Sequence, residues 1–415
     1  MKVEVITVGS EIISGSILDT NFRFIARKLV SAGADVVWHT SVGDDPETMS
    51  EALKLALRRA DAVIATGGIG PTPDDITRKV VSTLLGRALL LNDEVLEAIK
   101  NRFKQRGLSM PGINERQALF PKGSEIVPNR VGLAPGFLIK EDGKLLFVLP
   151  GVPLEAEAMV GETVLPRLAG AGTLRPTEQL LFRTTGVPES VIAENIAALG
   201  EPLEGITVAY LPHEYGVDLS LNFRGVDPKQ AAAVKRSVQE RLRKMLGQSC
   251  YAEVEKRLEE VVGETLAARG LKLAVAESVT GGAVAGLITT VPGASRYFML
   301  GVTAYSNEAK MSVLEVPEIV LLEKGAVSAE VATEMARGVR DRGLCDVGLS
   351  TTGIAGPDGG SAEKPVGLVY VAVATPSVSN VKELRLGGNR QLIIRRASAA
   401  ALDLLRRTLL SEEAS

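Results

Sequence analysis

The stretch AVIATGGIGPTPDD, residues 62–75, decides the fold class of the N-terminal half. Ala62–Thr66 reads as a short apolar strand, and two glycines then open a turn before a helix predicted over Ile76–Leu85. Towards the N-terminus lie a strand over Val3–Val8 (VEVITV), a helical pattern from Asp19 to Ala32 with Phe22, Ile25, Ala26 and Leu29 on one face, a strand over Asp35–His39 and a helix over Pro46–Arg59. This β-α-β-α-β alternation predicts an α/β fold with a parallel, doubly wound sheet, and strands that are apolar throughout fit a sheet covered on both faces. Towards the C-terminus, helices are expected at Asp93–Arg106 and Pro153–Leu168. A hairpin is expected where EDGK (Glu141–Lys144) separates FLIK from LLFVLP.

The chemistry expected of this half follows from the same topology. Glycines at a strand-to-helix junction suit a phosphate at the helix N-terminus, which makes Gly67 and Gly68 candidate ligand contacts. The pattern is not GxGxxG, so no NAD site is inferred. Further polar residues follow strand ends: Glu11 in VGSEIISG, Asn21 in DTN, and Asp44 with Asp45 in VGDDPE. The carboxyl ends of parallel strands gather at one edge, so these groups are expected to converge, and carboxylates there suit Mg²⁺ beside a pyrophosphate. Asp44 or Asp45 alternatively caps the helix that begins at Pro46.

The chain has 415 residues, more than one ordinary domain, with a net charge of −3 and 4% aromatic residues. There is no global basic field and little aromatic surface for stacking bases, so direct nucleic-acid binding is not expected. The two cysteines, Cys250 and Cys345, give neither a disulfide framework nor a metal-ligand spacing. The N-terminus lacks the apolar stretch of a signal peptide, and the apolar window Leu271–Val291 is broken by Lys272, Glu277 and glycines, so neither export nor a membrane span is expected and the reading is cytoplasmic. AGAGTLRP (Ala169–Pro176) marks a linker. The expected division is 1–172, then a small α+β connector over 173–252, then a second αβ domain over 253–415. The connector reads as strands at Leu180–Thr185, Ile206–Leu211 and Asp218–Phe223 with helices at Glu189–Leu199 and Pro228–Leu246.

In the last domain, AVAESVTGG (Ala274–Gly282) ends a strand and starts a helix, placing Ser278 on the turn, followed by Thr280, Gly281 and Gly282. Backbone N–H groups at such a turn suit an oxyanion or an anionic ligand. A serine needs a base to attack an amide. The only histidines, His39 and His213, lie in other domains, so Lys310 in TAYSNEAK is the natural substitute once desolvated. The competing reading is a helix-capping serine and a solvated lysine. The loop TTGIAGPDGGSAEKPVG (Thr351–Gly367), rich in glycine, suits wrapping a ribose phosphate. Arg390, Arg395 and Arg396 open the final helix, and one of them is a phosphate candidate.

The motifs AESVTGG, YSNEAK, GAVS and GIAGPDGG-x₃-KPVG together resemble the CinA C-terminal, or PncC, family over about 255–410. The resemblance implies a nicotinamide-nucleotide amidase that turns nicotinamide mononucleotide (NMN) and water into nicotinate mononucleotide and ammonia, with no cofactor. It implies Ser278 as nucleophile, Lys310 as its base, and Tyr305 and Thr352 as catalytic-site or substrate contacts. Thr280, Gly281, Gly282, Gly353 and Gly356 are expected in the substrate site, with Arg390 or Arg396 on phosphate. GSEIISG, DTN, GGIGPTPDD, GIN-x₂-QA, GLAPGF and LPGVPLE resemble the CinA N-terminal domain, which is similar to molybdopterin-binding domains. That resemblance implies an ADP-ribose pyrophosphatase using a divalent ion (Mg²⁺, Mn²⁺ or Co²⁺) and possibly K⁺, with Asp75, Asp44 and Glu155 as metal candidates and Asn21, Gly67 and Gly68 as ligand contacts. No Nudix box is present. The middle segment, with TTGVPES and HEYGVDLSL, resembles a KH-like connector without a basic GXXG loop. A homodimer is expected by the same resemblance. The alternative is a non-catalytic nucleotide-binding regulator linked to competence or the DNA damage response. Molybdenum-cofactor chemistry is a third reading, on fold analogy alone.

Overall fold

The computed structural model describes residues 1–170, 174, 178–198, 206–223 and 228–413, and the chain divides into two compact units, Met1–Glu178 and Gln179–Ser415. Most of the expected linker lies outside the described residues.

The first unit is built on a six-stranded sheet in the order Asp35–Val42, Lys2–Val8, Ala62–Thr66, Lys144–Leu149, Gly136–Glu141, Glu125–Val127. The first four strands are parallel. The last two pair antiparallel with their neighbours, which adds the expected hairpin around Glu141–Lys144 to the parallel part of the sheet. The cause is local. In the EDGK turn Asp142 and Gly143 take φ of 48° and 77°, and this tight turn returns the chain beside itself. Two apolar cores, one around Ile6, Met49, Leu53 and Val63, the other around Val3, Ile25, Leu29 and Ile64, cover the two faces. Alternate residues of the same strands feed opposite cores, which is why those strands are apolar throughout. The helix over Pro46–Arg59 starts where expected, because Asp45 accepts from Thr48 N (2.9 Å) and Pro46 occupies the first turn. The helix expected at Pro153–Leu168 is interrupted by a π-turn at Val160–Val164.

The second unit carries two sheets. The connector sheet runs Thr207–His213, Gly216–Asn222, Gln179–Thr184, Cys250–Ala252. Its last strand is three residues long and was not legible in the sequence. The C-terminal sheet runs Phe298–Thr303, Leu273–Glu277, Val347–Gly353, Leu368–Ala374, Ser379–Arg385. Its first three strands are parallel and its last two form the expected antiparallel hairpin. The helices Leu258–Arg269 and Arg390–Glu413 share a core with Val275, Leu349 and Val371, and the helix Ala329–Arg342 packs on the other face through Val331, Met335 and Val339. Among the described residues no helix is long and apolar enough to cross a membrane.

Candidate active site

The strand Leu273–Glu277 is an interior strand of its sheet, second from the edge, and its carboxyl end delivers Ser278. Ser278 N donates to Thr351 O (3.0 Å) on the neighbouring parallel strand, which fixes the start of the turn. Gly281 and Gly282 then take φ of 61° and 103°, in the left-handed region that a side chain would strain. On the other side, the strand Phe298–Thr303 runs into a helix over Asn307–Leu314, capped by Ser306 through Ala309 N (3.1 Å). That cap sets the phase of the helix and turns Lys310 inward.

Lys310 is 1% exposed and Ser278 8% exposed. Lys310 Nζ stands 3.1 Å from Ser278 Oγ, 3.0 Å from Ala304 O and 3.3 Å from Tyr305 O. Carbonyl oxygens only accept, so two of the amine's hydrogens go to them and its remaining position faces the serine hydroxyl. Burial pushes the Lys310 ammonium below its ordinary value, against a smaller opposing pull from the Glu308 carboxylate. A serine hydroxyl and a buried amine therefore stand at hydrogen-bond distance, and the competing reading of a solvated lysine is excluded.

The pair opens into a cavity of about 180 Å³ lined by Ser278, Val279, Tyr305, Asn307, Lys310, Ala326, Val327, Thr352, Gly353, Ala355 and Arg390. Arg390 Nη1 donates to Gly356 O (2.7 Å) and Nη2 to the Tyr305 hydroxyl (3.0 Å). Thr352 Oγ1 donates to Ala326 O (2.7 Å), holding one wall of the cavity.

Other expected site residues stand elsewhere. Thr280, Gly281 and Gly282 build the turn but do not line the cavity. Thr280 is buried with its hydroxyl on Thr351 Oγ1 (2.6 Å). The helix N-terminus expected to serve an anion is already filled: the Glu277 carboxylate accepts from Gly282 N (3.0 Å), Val284 N (3.0 Å) and Ala285 N (2.8 Å). Glu277 is 1% exposed, and those three amides at the start of the helix satisfy its oxygens. Arg396 lies outside the cavity and binds main-chain oxygens of Glu214 and Gly387, both at 2.8 Å, while Arg395 pairs with the Glu214 carboxylate. Arg390 is the one of the three that lines the cavity.

The first unit holds a larger cavity, about 550 Å³, at the carboxyl edge of its parallel strands. Gly67, Gly68, Glu11, Asp44, Asp74, Asp75 and Glu155 all line it, so the expected convergence occurs. Asp45 instead caps its helix. Asn21 does not line the cavity. Its Nδ2 donates to Thr66 Oγ1 (3.0 Å) and Gly151 O (2.8 Å), bracing two loops from behind. The acidic side chains have partners of their own. Asp75 accepts from Thr72 N (2.8 Å) and Thr72 Oγ1 (2.6 Å), Asp44 from Ser10 N (2.9 Å), and Glu155 from Asn129 Nδ2 (2.6 Å). Among the described residues no three His, Cys, Asp or Glu side chains form a group able to hold a metal ion. The described residues thus build no ready-made cage around this cavity.

Sequence reasoning missed part of this wall: Arg106, Asn114, Gln117 and the segment Val131–Ala134. The signal was present in GIN-x₂-QA and GLAPGF, but nothing in their spacing shows that they fold over the glycine loop. It also missed Arg78. Buried at 5% exposure, Arg78 donates to Ile69 O and to Pro135 O (3.3 Å), tying the glycine loop to the GLAPGF segment, and burial pushes its guanidinium down to about 10.

Three family models match in order: a probable molybdopterin binding domain over residues 4–170, a damage-inducible protein CinA KH domain over 180–252 and the CinA C-terminal domain over 255–409. A putative competence-damage inducible protein of Caldicellulosiruptor saccharolyticus is 43% identical over 99% of this chain and 100% of its own length. A CinA-like protein of Dictyoglomus turgidum is 41% identical over 99% of this chain and 100% of its own. A crystal structure of the protein CinA from Thermoplasma acidophilum shares 35% identity, covering 39% of this chain and 94% of that one, with a TM-score of 0.37. With its order of molybdopterin-binding-like domain, KH domain and C-terminal domain, and relatives alike over their whole length, this chain belongs to the CinA family of competence/damage-inducible proteins.

Proposed function

We propose that the C-terminal domain is an amidase that hydrolyses NMN to nicotinate mononucleotide and ammonia. The observation that carries this reading is the seat of Lys310: two carbonyls take its hydrogens and its last position faces Ser278 Oγ at 3.1 Å, in a buried setting that favours the neutral amine. Ser278 Oγ attacks the carboxamide carbon as its proton passes to Lys310 Nζ. The C–N bond then breaks, the proton leaves with the departing nitrogen as ammonia, and a nicotinoyl ester remains on Ser278. Water attacks that ester, Lys310 takes a proton from it, and the ester C–O bond breaks as the proton returns to Ser278. Arg390, anchored by Gly356 O and the Tyr305 hydroxyl, is the fixed positive charge suited to the nucleotide phosphate. The test is ammonia release from NMN by the full chain and by Ser278→Ala. Loss in the variant is expected, and undiminished turnover overturns the assignment. Absence of ammonia from the wild type as well would leave the family's alternative, a nucleotide-binding regulator.

A second reading attaches to the first unit. Its acidic cavity of about 550 Å³ behind the Gly67–Gly68 turn suits a dinucleotide-sized phosphate ester. We propose ADP-ribose as that ligand, cleaved to AMP and ribose 5-phosphate, with a divalent ion (Mg²⁺, Mn²⁺ or Co²⁺), and possibly K⁺, brought by the diphosphate and met by Asp75, Asp44 or Glu155. No AMP across those four ions in the wild type overturns hydrolysis here, and Asp75→Ala is expected to lose AMP formation. Both proposed substrates come from breakdown of pyridine nucleotides, so the two readings together support a role in their salvage. A homodimer is the proposed assembly, checked by light scattering.

A further inference from the structure

The connector holds the final helix at the point where that helix meets the candidate active site. Glu214 sits in the turn between Thr207–His213 and Gly216–Asn222. Its main-chain oxygen accepts from Arg396 Nε at 2.8 Å, and the same guanidinium donates from Nη1 to Gly387 O at 2.8 Å. Gly387 and Gly388 precede Asn389, whose side chain accepts from Leu392 N (2.9 Å) at the start of the helix that begins at Arg390. A Cβ on Gly387 would meet nothing within 4 Å, so packing leaves Gly387 free to move, whereas Gly388, at φ of 114°, lies against the Leu392 side chain. Two residues later comes Arg390, which lines the cavity with Nη1 on Gly356 O and Nη2 on Tyr305 OH.

We propose that Arg396 is a positioning residue: by clamping Gly387 to the connector turn it fixes the start of the final helix, and through Arg390 sets the affinity for the phosphate end of the substrate. The connector thereby tunes the amidase site. This rests on the amidase reading above. Arg395 makes the natural control, because its pair with the Glu214 carboxylate is exposed at 59% and 39% and contributes little.

The experiment is steady-state amide hydrolysis by the full chain with NMN and with nicotinamide riboside, the same molecule without phosphate. For Arg396→Met the KM for NMN is expected to rise about tenfold with kcat held within about twofold, the scale of losing charge-assisted hydrogen bonds. The KM for the riboside should stay put, Arg396→Lys should fall between, and Arg395→Ala should match wild type. An unchanged KM for NMN in both Arg396 variants overturns the proposal. So does an equal weakening of both substrates, which is what general loosening produces. If wild type releases no ammonia from NMN, the amidase reading fails by itself, and calorimetric NMN affinity still decides: equal affinity of wild type and Arg396→Lys overturns the clamp.

Discussion

Lys310 is the residue whose protonation state decides whether the proposed amidase turns over. A lysine whose folded pKa lies below its ordinary value of 10.5 binds fewer protons folded than unfolded between those two values. Stability contributed by this group is therefore lowest below the folded pKa and rises as pH climbs through that window. Activity should rise in the same direction, because only the free amine accepts the serine proton. The pH–rate profile for NMN should show an acid limb belonging to Lys310, with its midpoint below 10.5. Glu308 pulls the other way, so Glu308→Gln should move that limb to lower pH, and a limb that does not move would assign it to another group. Lys310→Met should abolish turnover while leaving a folded protein, since it removes a buried amine and keeps its volume; circular dichroism and ammonia release together check this. The pairing itself was readable as a serine turn and a downstream lysine in a domain without histidine. Which arginine faces the cavity was not. Arg390 and Arg396 are six positions apart, about 240° around a helix, so only the docking of that helix separates them.

At the level of elements, the end-for-end agreement at Pro46–Arg59, Ala62–Thr66 and Pro228–Leu246 has a local cause. Two of these begin with proline and one is a continuous apolar run, signals that need no tertiary context. Elements settled by their neighbours were opaque. The three-residue strands Leu89–Leu91 and Leu119–Pro121 exist only because they pair with each other. The helix Glu318–Lys324 was missed because one turn or two of helix carries too little periodicity. The role of Glu277 was equally hidden: the sequence shows an acid before the serine, not that three amides converge on it. Packing between elements gives a further prediction. A Cβ on Gly348 would lie 1.9 Å from Ala336 O, so the strand Val347–Gly353 and the helix Ala329–Arg342 approach backbone to backbone. Gly348→Ala should cost about 3 kcal/mol or more, seen as a lowered midpoint in thermal or urea unfolding. A shift below about 0.5 kcal/mol would mean that the helix is free to ride outward.

For the molecule as a whole, two candidate chemistries occupy separate compact units. Product analysis should separate them: Ser278→Ala is expected to lose ammonia release and keep AMP formation, and Asp75→Ala the reverse. Loss of both products in either variant would instead show that each site depends on the other. The architecture was legible in outline because strand–helix alternation is a long-range pattern written locally. The cavity walls were not, since the first unit's cavity draws on segments as far apart as Gly9 and Glu155. One consequence concerns the choice of buffer. Because Glu277 already fills the positive end of the helix after Ser278, sulfate or phosphate in solution finds no foothold there. Inhibition of ammonia release by inorganic phosphate would then report on the cavity itself, where Arg390 and Lys310 are the basic side chains, and a simple salt titration becomes an assay for that pocket.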